Sequence, residues 1–292
     1  MNLFSISQLA QFSGIKPHTI RVWEKRYHAL DPTRSEGNTR YYNSNQLRRL
    51  LNIVSLVQLN YKISQVGSMT DKELYRAIET NTYQSVPEGT EYFVLHLTRA
   101  ALSYDEQQFD KIFAHCILRY GLTETYKKIL YPMMIRTGLM WSCNTMPPAN
   151  EHFITNLIRQ KMSTAIDSLP HPELNSETWL LFLPEDEFHE IGLLFAHYII
   201  RLSGKRVIYL GTNMPADSLA VTAKDAQVNK LLLFLVHRHT TKKLQDYINK
   251  LNKSLTGKEI YVAAGESIMK QIKFPKNIQW LKTAEALENA LA

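Results

Sequence analysis

Apolar residues recur along this chain with three different rhythms. Near the start, Ile6, Leu9 and Ala10 share one helical face behind Ser5, and Ser5-x-x-Gln8 has the form of a capping box. Gly14 ends that helix, and Pro17 suits the first turn of the next, which continues as HTIRVWEKRY. Residues 31–42, DPTRSEGNTRYY, hold Pro, Gly and Asn followed by aromatics, the composition of a turn or short hairpin. Ser44 is expected to cap a third helix with Leu47, Leu50, Leu51 and Val54 on one face, and a further helix to cover 71–81.

A linker at 84–90 opens the second rhythm, which stays helical from Glu91 to Leu169. Four helices fit it, at 90–103, 105–120, 122–141 and 149–169. A second linker, 170–176, opens the third. Strand-like runs at 179–183, 206–210, 230–236, 259–263 and 278–281 alternate with helical segments at 188–203, 215–226, 241–253, 266–272 and 283–291. Such alternation implies a parallel sheet covered on both faces. The expected fold class is therefore multidomain. It comprises a winged helix-turn-helix head at 1–80, a four-helix bundle at 85–170, and a doubly wound α/β domain of five parallel strands, flavodoxin-like, at 176–292. No internal repeat or low-complexity tract interrupts this order.

Composition narrows the class. Hydrophobic residues make up 45% of the 292, enough for a sizeable core, and no run is long and apolar enough for a membrane span. The N-terminus lacks the basic start and long apolar run of a signal peptide, so a cytoplasmic setting is expected. Two cysteines, Cys116 and Cys143, are too few for a disulfide framework and read as small buried hydrophobes. Of the formal net charge of +7, residues 1–70 carry +6. Basicity concentrated in one small unit marks a polyanion-binding module.

That unit presents Lys16, His18, Thr19 and Arg21 at the start of its second helix, where a helix-turn-helix reaches base edges and phosphates. The hairpin adds Arg34, Asn38, Arg40 and Tyr41, a polar wing suited to gripping the backbone. Trp23 and Tyr27 are expected to pack the head's core. The string FSISQLAQFSGIKPHTIRVWEKRYHALDPTRSEGNTRYYNSNQLRRL resembles the MerR family head throughout, most tellingly in IRVWEKRY, in Pro32-x-Arg34, and in TRYY before a Ser. The resemblance implies double-stranded promoter DNA as partner. No long heptad run follows Tyr61, so the homo-oligomer that a palindromic site requires, a dimer or tetramer, would form through the helical or α/β region.

Three features in the C-terminal half point to one ligand. Glu187-Phe188-His189-Glu190-Ile191-Gly192 follows the first strand, where ligands of doubly wound sheets sit, and Glu187 can orient the imidazole. The string resembles the D-x-H-x-x-G signature of corrinoid proteins that bind cobalamin base-off, which implies His189 as lower axial ligand of cobalt. The spacing matches too. Forty-one residues separate Gly192 from Phe234-Leu235-Val236, and 27 separate Val236 from Ala264-Gly265, the registers of that family's S-x-L and G-G. The residues depart: Glu187 for Asp, Phe234 for the Ser of the slot that takes the displaced nucleotide tail, Val236 for Leu, and Ala264 for the first Gly.

Finally, Trp141, nine intervening residues and Glu151-His152 resemble the W-x9-E-H of light-sensing, adenosylcobalamin-dependent MerR regulators of the CarH/LitR type. In that group the three close over the adenosyl group. Some members carry His directly after the Trp; this chain has Ser142, which supplies no second imidazole for cobalt.

Three functions follow from these readings. One is a regulator, a repressor by resemblance, whose assembly on DNA is set by adenosylcobalamin and light. Another is a MerR-type regulator whose altered pocket answers to another ligand or partner. The third is a corrinoid methyl-carrier enzyme, against which the basic head argues. No Ser/His/Asp set, G-x-x-x-x-G-K or C-x-x-C appears, so no enzyme activity is expected. His237 and His239 of LVHRH read as strand-end polar residues rather than a metal site.

Overall fold

The computed structural model describes residues 3–35, 37–58, 61–81, 89–142, 146–173, 175–236, 241–270 and 272–291. The chain divides into two compact units, Met1–Thr155 and Asn156–Ala292.

In the first unit, α1 (Ile6–Ser13) starts at Ser5 through the anticipated capping box. Gln8 N–H donates to Ser5 Oγ at 3.3 Å, and Ser5 N–H donates to Gln8 Oε1 at 2.8 Å. Gly14 closes the helix in the left-handed region, φ +72°. Pro17 opens α2 (Pro17–Tyr27). A two-residue hairpin, β1 (Thr33–Arg34) with β2 (Arg40–Tyr41), forms the wing, and Phe4 bridges to Tyr42 alongside it. Helix α3 (Ser44–Gln58) is capped by Asn43 rather than Ser44: Gln46 N–H donates to Asn43 Oδ1 at 3.0 Å, and Ser44 is already helical. A single turn, α4 (Ile63–Val66), precedes α5 (Asp71–Asn81). Leu9, Phe12, Ile20, Trp23, Leu47, Leu50 and Leu51 form the buried core of this head, Trp23 as expected.

Arg49 of α3 ties the head together. Its guanidinium donates to the carbonyls of Ala29, Gly67 and Met69 at 2.7 to 2.9 Å and to Asp71 at 2.6 Å.

The helical region follows the sequence periodicity closely. Helices α6 (Thr90–Leu102) and α7 (Glu106–Thr125) pack together, and α3 packs against α6. The break foreseen between residues 120 and 122 falls on Gly121, whose φ of +73° and ψ of 168° are non-helical. A π-helical turn, Tyr126–Leu130, leads into α8 (Tyr131–Ser142), and α9 (Pro148–Asp167) follows. Buried Asn150 at the start of α9 donates to the Ala101 carbonyl of α6 at 3.1 Å.

The second unit alternates β3 (Thr178–Pro184), α10 (Ile191–Leu202), β4 (Arg206–Met214), α11 (Ala216–Asp225), β5 (Lys230–Leu235), α12 (Thr241–Ser254), β6 (Glu259–Ala264), α13 (Glu266–Met269), β7 (Ile278–Leu281) and α14 (Ala284–Leu291). All five strands run parallel in the order β4-β3-β5-β6-β7, the 2-1-3-4-5 order of flavodoxin-like domains. Leu180, Phe182, Leu231, Leu233, Leu235, Ile260 and Val262 face α11 and α12. The alternate positions of β3 and β5 therefore face α10 on the other side. Every residue of β3 is buried, as a central parallel strand requires. Strand β4 outruns the expected 206–210 because Gly211 (φ +77°) absorbs a register shift and lets pairing resume. Helix α10 starts at Ile191, so His189 lies in the loop after β3 rather than inside a helix beginning at 188.

Candidate functional site

The first site is the basic surface of the head. Lys16, His18 and Arg21 are exposed at the start of α2, with Thr19 half-exposed between them. On the wing, Arg34 and Asn38 are exposed and joined by a 2.6 Å hydrogen bond, with Asn38 at φ +59° in the turn, while Tyr41 is half-exposed. Arg40, expected at the DNA, turns inward. Its Nε donates to both oxygens of Glu24 at 2.9 and 3.1 Å, and that bond raises its pKa further. Buried Tyr42 donates its hydroxyl to the same carboxylate at 2.9 Å; burial first, then that bond, pushes its pKa up. Glu24 of α2 thus anchors the wing to the recognition helix. Charge pattern alone hides this, since Glu24 reads as one acid among cations. Of the nine basic residues in 1–70, Arg40 braces the wing, and Arg49 is spent on the head's interior.

The second site lies at the carboxyl ends of the strands, in the loop between β3 and α10. Glu187 is buried, 1% exposed. Its Oε1 accepts from the Phe188 and His189 amides at 3.0 and 3.1 Å and lies 2.6 Å from His189 Nδ1. Its Oε2 accepts from the Val236 amide, just past β5, at 2.9 Å. One carboxylate therefore fixes the loop, the end of β5 and the imidazole. With Nδ1 as the donor toward Glu187, the tautomer places the lone pair on Nε2, and the His189 side chain is 56% exposed. This donor set fits an axial metal ligand. Next to it, Glu190 accepts from Tyr209 Oη at 2.8 Å and from Arg159 Nε at 2.9 Å, holding the start of α10 against β4 and α9. Neither Tyr209 nor Arg159 was singled out from sequence, because their partner lies 19 and 31 residues away.

The neighbouring slot does not fit a nucleotide. Phe234 is on the α10 side of β5, and its ring lies against Gly192: a Cβ at residue 192 would stand 2.7 Å from Phe234 Cε1 and 3.0 Å from Cδ1. Ala264, paired in register with Leu235, is half-buried, and its carbonyl accepts from Trp280 Nε1 at 3.0 Å. Gly265 is exposed, with open space where a Cβ would point. Val236 is exposed at the strand end.

The remaining sequence-marked residues lie in the helical region. Trp141 belongs to the last turn of α8, and its side chain is outside the described residues. Glu151, in the first turn of α9, accepts from Thr155 Oγ1 at 2.8 Å and lies 3.5 Å from Nδ1 of exposed His152. An acid there suits the helix N-terminus. Cys116 is buried, and burial pushes its thiol up to about 12. Cys143, His237 and His239 lie outside the described residues. Among the described residues, no cluster of three or more His, Cys, Asp or Glu is arranged to hold a metal, and no helix is long and apolar enough to cross a membrane. A cavity of about 770 Å³, lined by Lys224, Asn229, Ser254 and Lys258 among others, opens at the amino ends of β5 and β6, away from His189.

Residues 4–73 match the family model of the MerR HTH family regulatory protein, and residues 96–166 match that of the B12 binding domain. The HTH-type transcriptional repressor CarH of Myxococcus xanthus is 23% identical over 257 residues, covering 86% of this chain and 85% of its own. The repressor CarA of the same organism is 29% identical over 224 residues, covering 73% and 70%. A monomethylamine corrinoid protein of Methanosarcina barkeri shares the fold at 16% identity and a TM-score of 0.53, over 67% of this chain and 95% of that one. The chain is thus a DNA-binding transcription regulator with a MerR-type head and a B12 binding domain, homologous over most of its length to the CarH and CarA repressors.

Proposed function

We propose that this chain represses transcription from double-stranded promoter DNA, and that a corrinoid carried on His189 sets the assembly state in which it holds that DNA. The working division is the head at 1–80, the helical cap at 85–170 and the sheet domain at 176–292. In the head, Lys16, His18, Thr19 and Arg21 read DNA from α2, while Arg34, Asn38 and Tyr41 of the wing grip phosphate. By resemblance, Trp141, Glu151 and His152 would cover an adenosyl group, and His189 would ligate the cobalt. A bound corrinoid would supply a light-sensitive cobalt–carbon bond. Control then requires only that the ligand bind one assembly state, a dimer or tetramer, better than another.

The single observation that carries this reading is the Glu187–His189 pair. A buried carboxylate anchored on two amides and a strand end is a costly arrangement to keep for an ordinary surface histidine. One other observation, the Phe234 ring against Gly192, favours a second reading in which the regulator answers to something other than a corrinoid.

Dark reconstitution of the full chain with an adenosyl-corrinoid separates the two. Corrin absorption retained after gel filtration, with oligomeric state and promoter affinity that change on loading and again on illumination, supports control by corrinoid. Loading that leaves assembly and affinity unchanged refutes it. Absence of any salt-sensitive affinity for promoter fragments refutes the regulator reading itself.

A further inference from the structure

Resting on the assignment of His189 as a lower ligand, we infer that this site selects corrinoids lacking the lower nucleotide tail, with Phe234 as the specificity-determining residue. A corrinoid held by a protein histidine through its lower face must put its own nucleotide elsewhere. A tail hanging from the lower face beside His189 would run toward the carboxyl ends of β3 and β5, where the Phe234 ring lies against Gly192. Here that space is filled from within.

The filling is well secured. Phe234 occupies the second-last position of β5, a strand paired on both sides by β3 and β6. Two residues on, the Val236 amide is fixed by the same carboxylate that holds His189. The strand end therefore cannot shift to carry the ring away without disturbing the histidine. The ring approaches the Gly192 backbone so closely that a Cβ there would have to push it aside. At the neighbouring strand end, Ala264 adds a methyl group, and its carbonyl is engaged by Trp280. Phe234 itself offers no hydroxyl to a nucleotide base. The His189 side chain itself is 56% exposed.

A tail could enter only by turning the phenyl ring out to water. Re-exposing a half-buried Phe lowers affinity by about 3- to 10-fold. A corrinoid ending in a short amide side chain avoids that cost.

The test compares adenosylcobinamide with adenosylcobalamin on the full-length protein in the dark, by titration and by corrin absorption retained after gel filtration. Wild-type protein should bind adenosylcobinamide at least about threefold more tightly. His189→Ala should abolish the spectral change that marks histidine ligation. Phe234→Ser should raise affinity for adenosylcobalamin toward that for adenosylcobinamide, with circular dichroism confirming the fold. The wild-type comparison stands even where the variant fails to fold. Equal binding of the two corrinoids by wild type, or tighter binding of adenosylcobalamin, overturns the inference and leaves the corrinoid reading intact. Binding of neither overturns both.

Discussion

Replacing Glu187 with Gln tests whether one carboxylate organises the His189 loop. Among the described residues the carboxylate receives four hydrogen bonds: three on Oε1, from the Phe188 amide, the His189 amide and His189 Nδ1, and one on Oε2, from the Val236 amide. An amide side chain has a single acceptor oxygen. In its best orientation Gln keeps the three contacts and turns its own NH2 against the Val236 N–H, leaving a donor facing a donor. The unpaired amide and the loss of charge on the remaining three bonds together cost about 2–4 kcal/mol. That corresponds to roughly a 30- to 900-fold rise in the local opening equilibrium. Amide hydrogen exchange on the full chain reads this directly: Val236 should lose protection by that factor, and Phe188 and His189 by less. The core amides of β3 should keep theirs. Unchanged Val236 exchange in a folded variant would refute the idea that Glu187 clamps the strand end to the loop.

Other expectations follow from the same geometry. Glu24→Gln should weaken promoter affinity about tenfold by releasing Arg40 and Tyr42, with helix content retained; fluorescence anisotropy against far-ultraviolet dichroism checks both. Lys16→Ala and Arg21→Ala should each reduce the slope of log affinity against log salt by about 0.9, and an unchanged slope removes that residue from the phosphate interface. His96, fully buried in α6 with neither ring nitrogen hydrogen-bonded, is held neutral down to about 3, by burial first and then by the Arg99 charge. The unfolded chain takes up that proton near 6.5, so the contribution is complete above 6.5 and is lost as pH falls toward 3, at about 1.4 kcal/mol per pH unit. Denaturant titrations of His96→Leu between pH 6 and 4 should lack this acid dependence, and slopes equal to wild type would contradict it.

Much of this molecule is readable from spacing. The Ser5–Gln8 box, the Gly14 stop, the Gly121 break and the alternation after residue 176 are local signals, and local backbone preferences settle them. What stayed hidden depends on partners remote in sequence. Glu24 and Arg40 are 16 residues apart, Arg49 and Asp71 are 22 apart, and Arg159 and Glu190 are 31 apart. A charged residue announces its sign, not its partner. Asn43 and Ser44 are adjacent and equally able to cap, so only the backbone decides which does. Gly211 looked like the end of a strand, yet in β4 it carries a bulge through which pairing continues. The placement of His189, Phe234 and Ala264 at the carboxyl ends of the strands was legible in their spacing. That the Phe234 ring leans on Gly192 was not, because it depends on which face of β5 meets α10.

The bonding of Arg49 fixes how the head may be cut. A fragment stopping at the end of α3 would retain the guanidinium and the Ala29 carbonyl but lose Gly67, Met69 and Asp71, leaving a cation beside apolar helices with most of its acceptors gone. The short stretch from Tyr61 to Asp71, which looks like spare tether, is therefore integral to the DNA-reading piece. Any autonomous version of that piece has its natural boundary beyond Asp71.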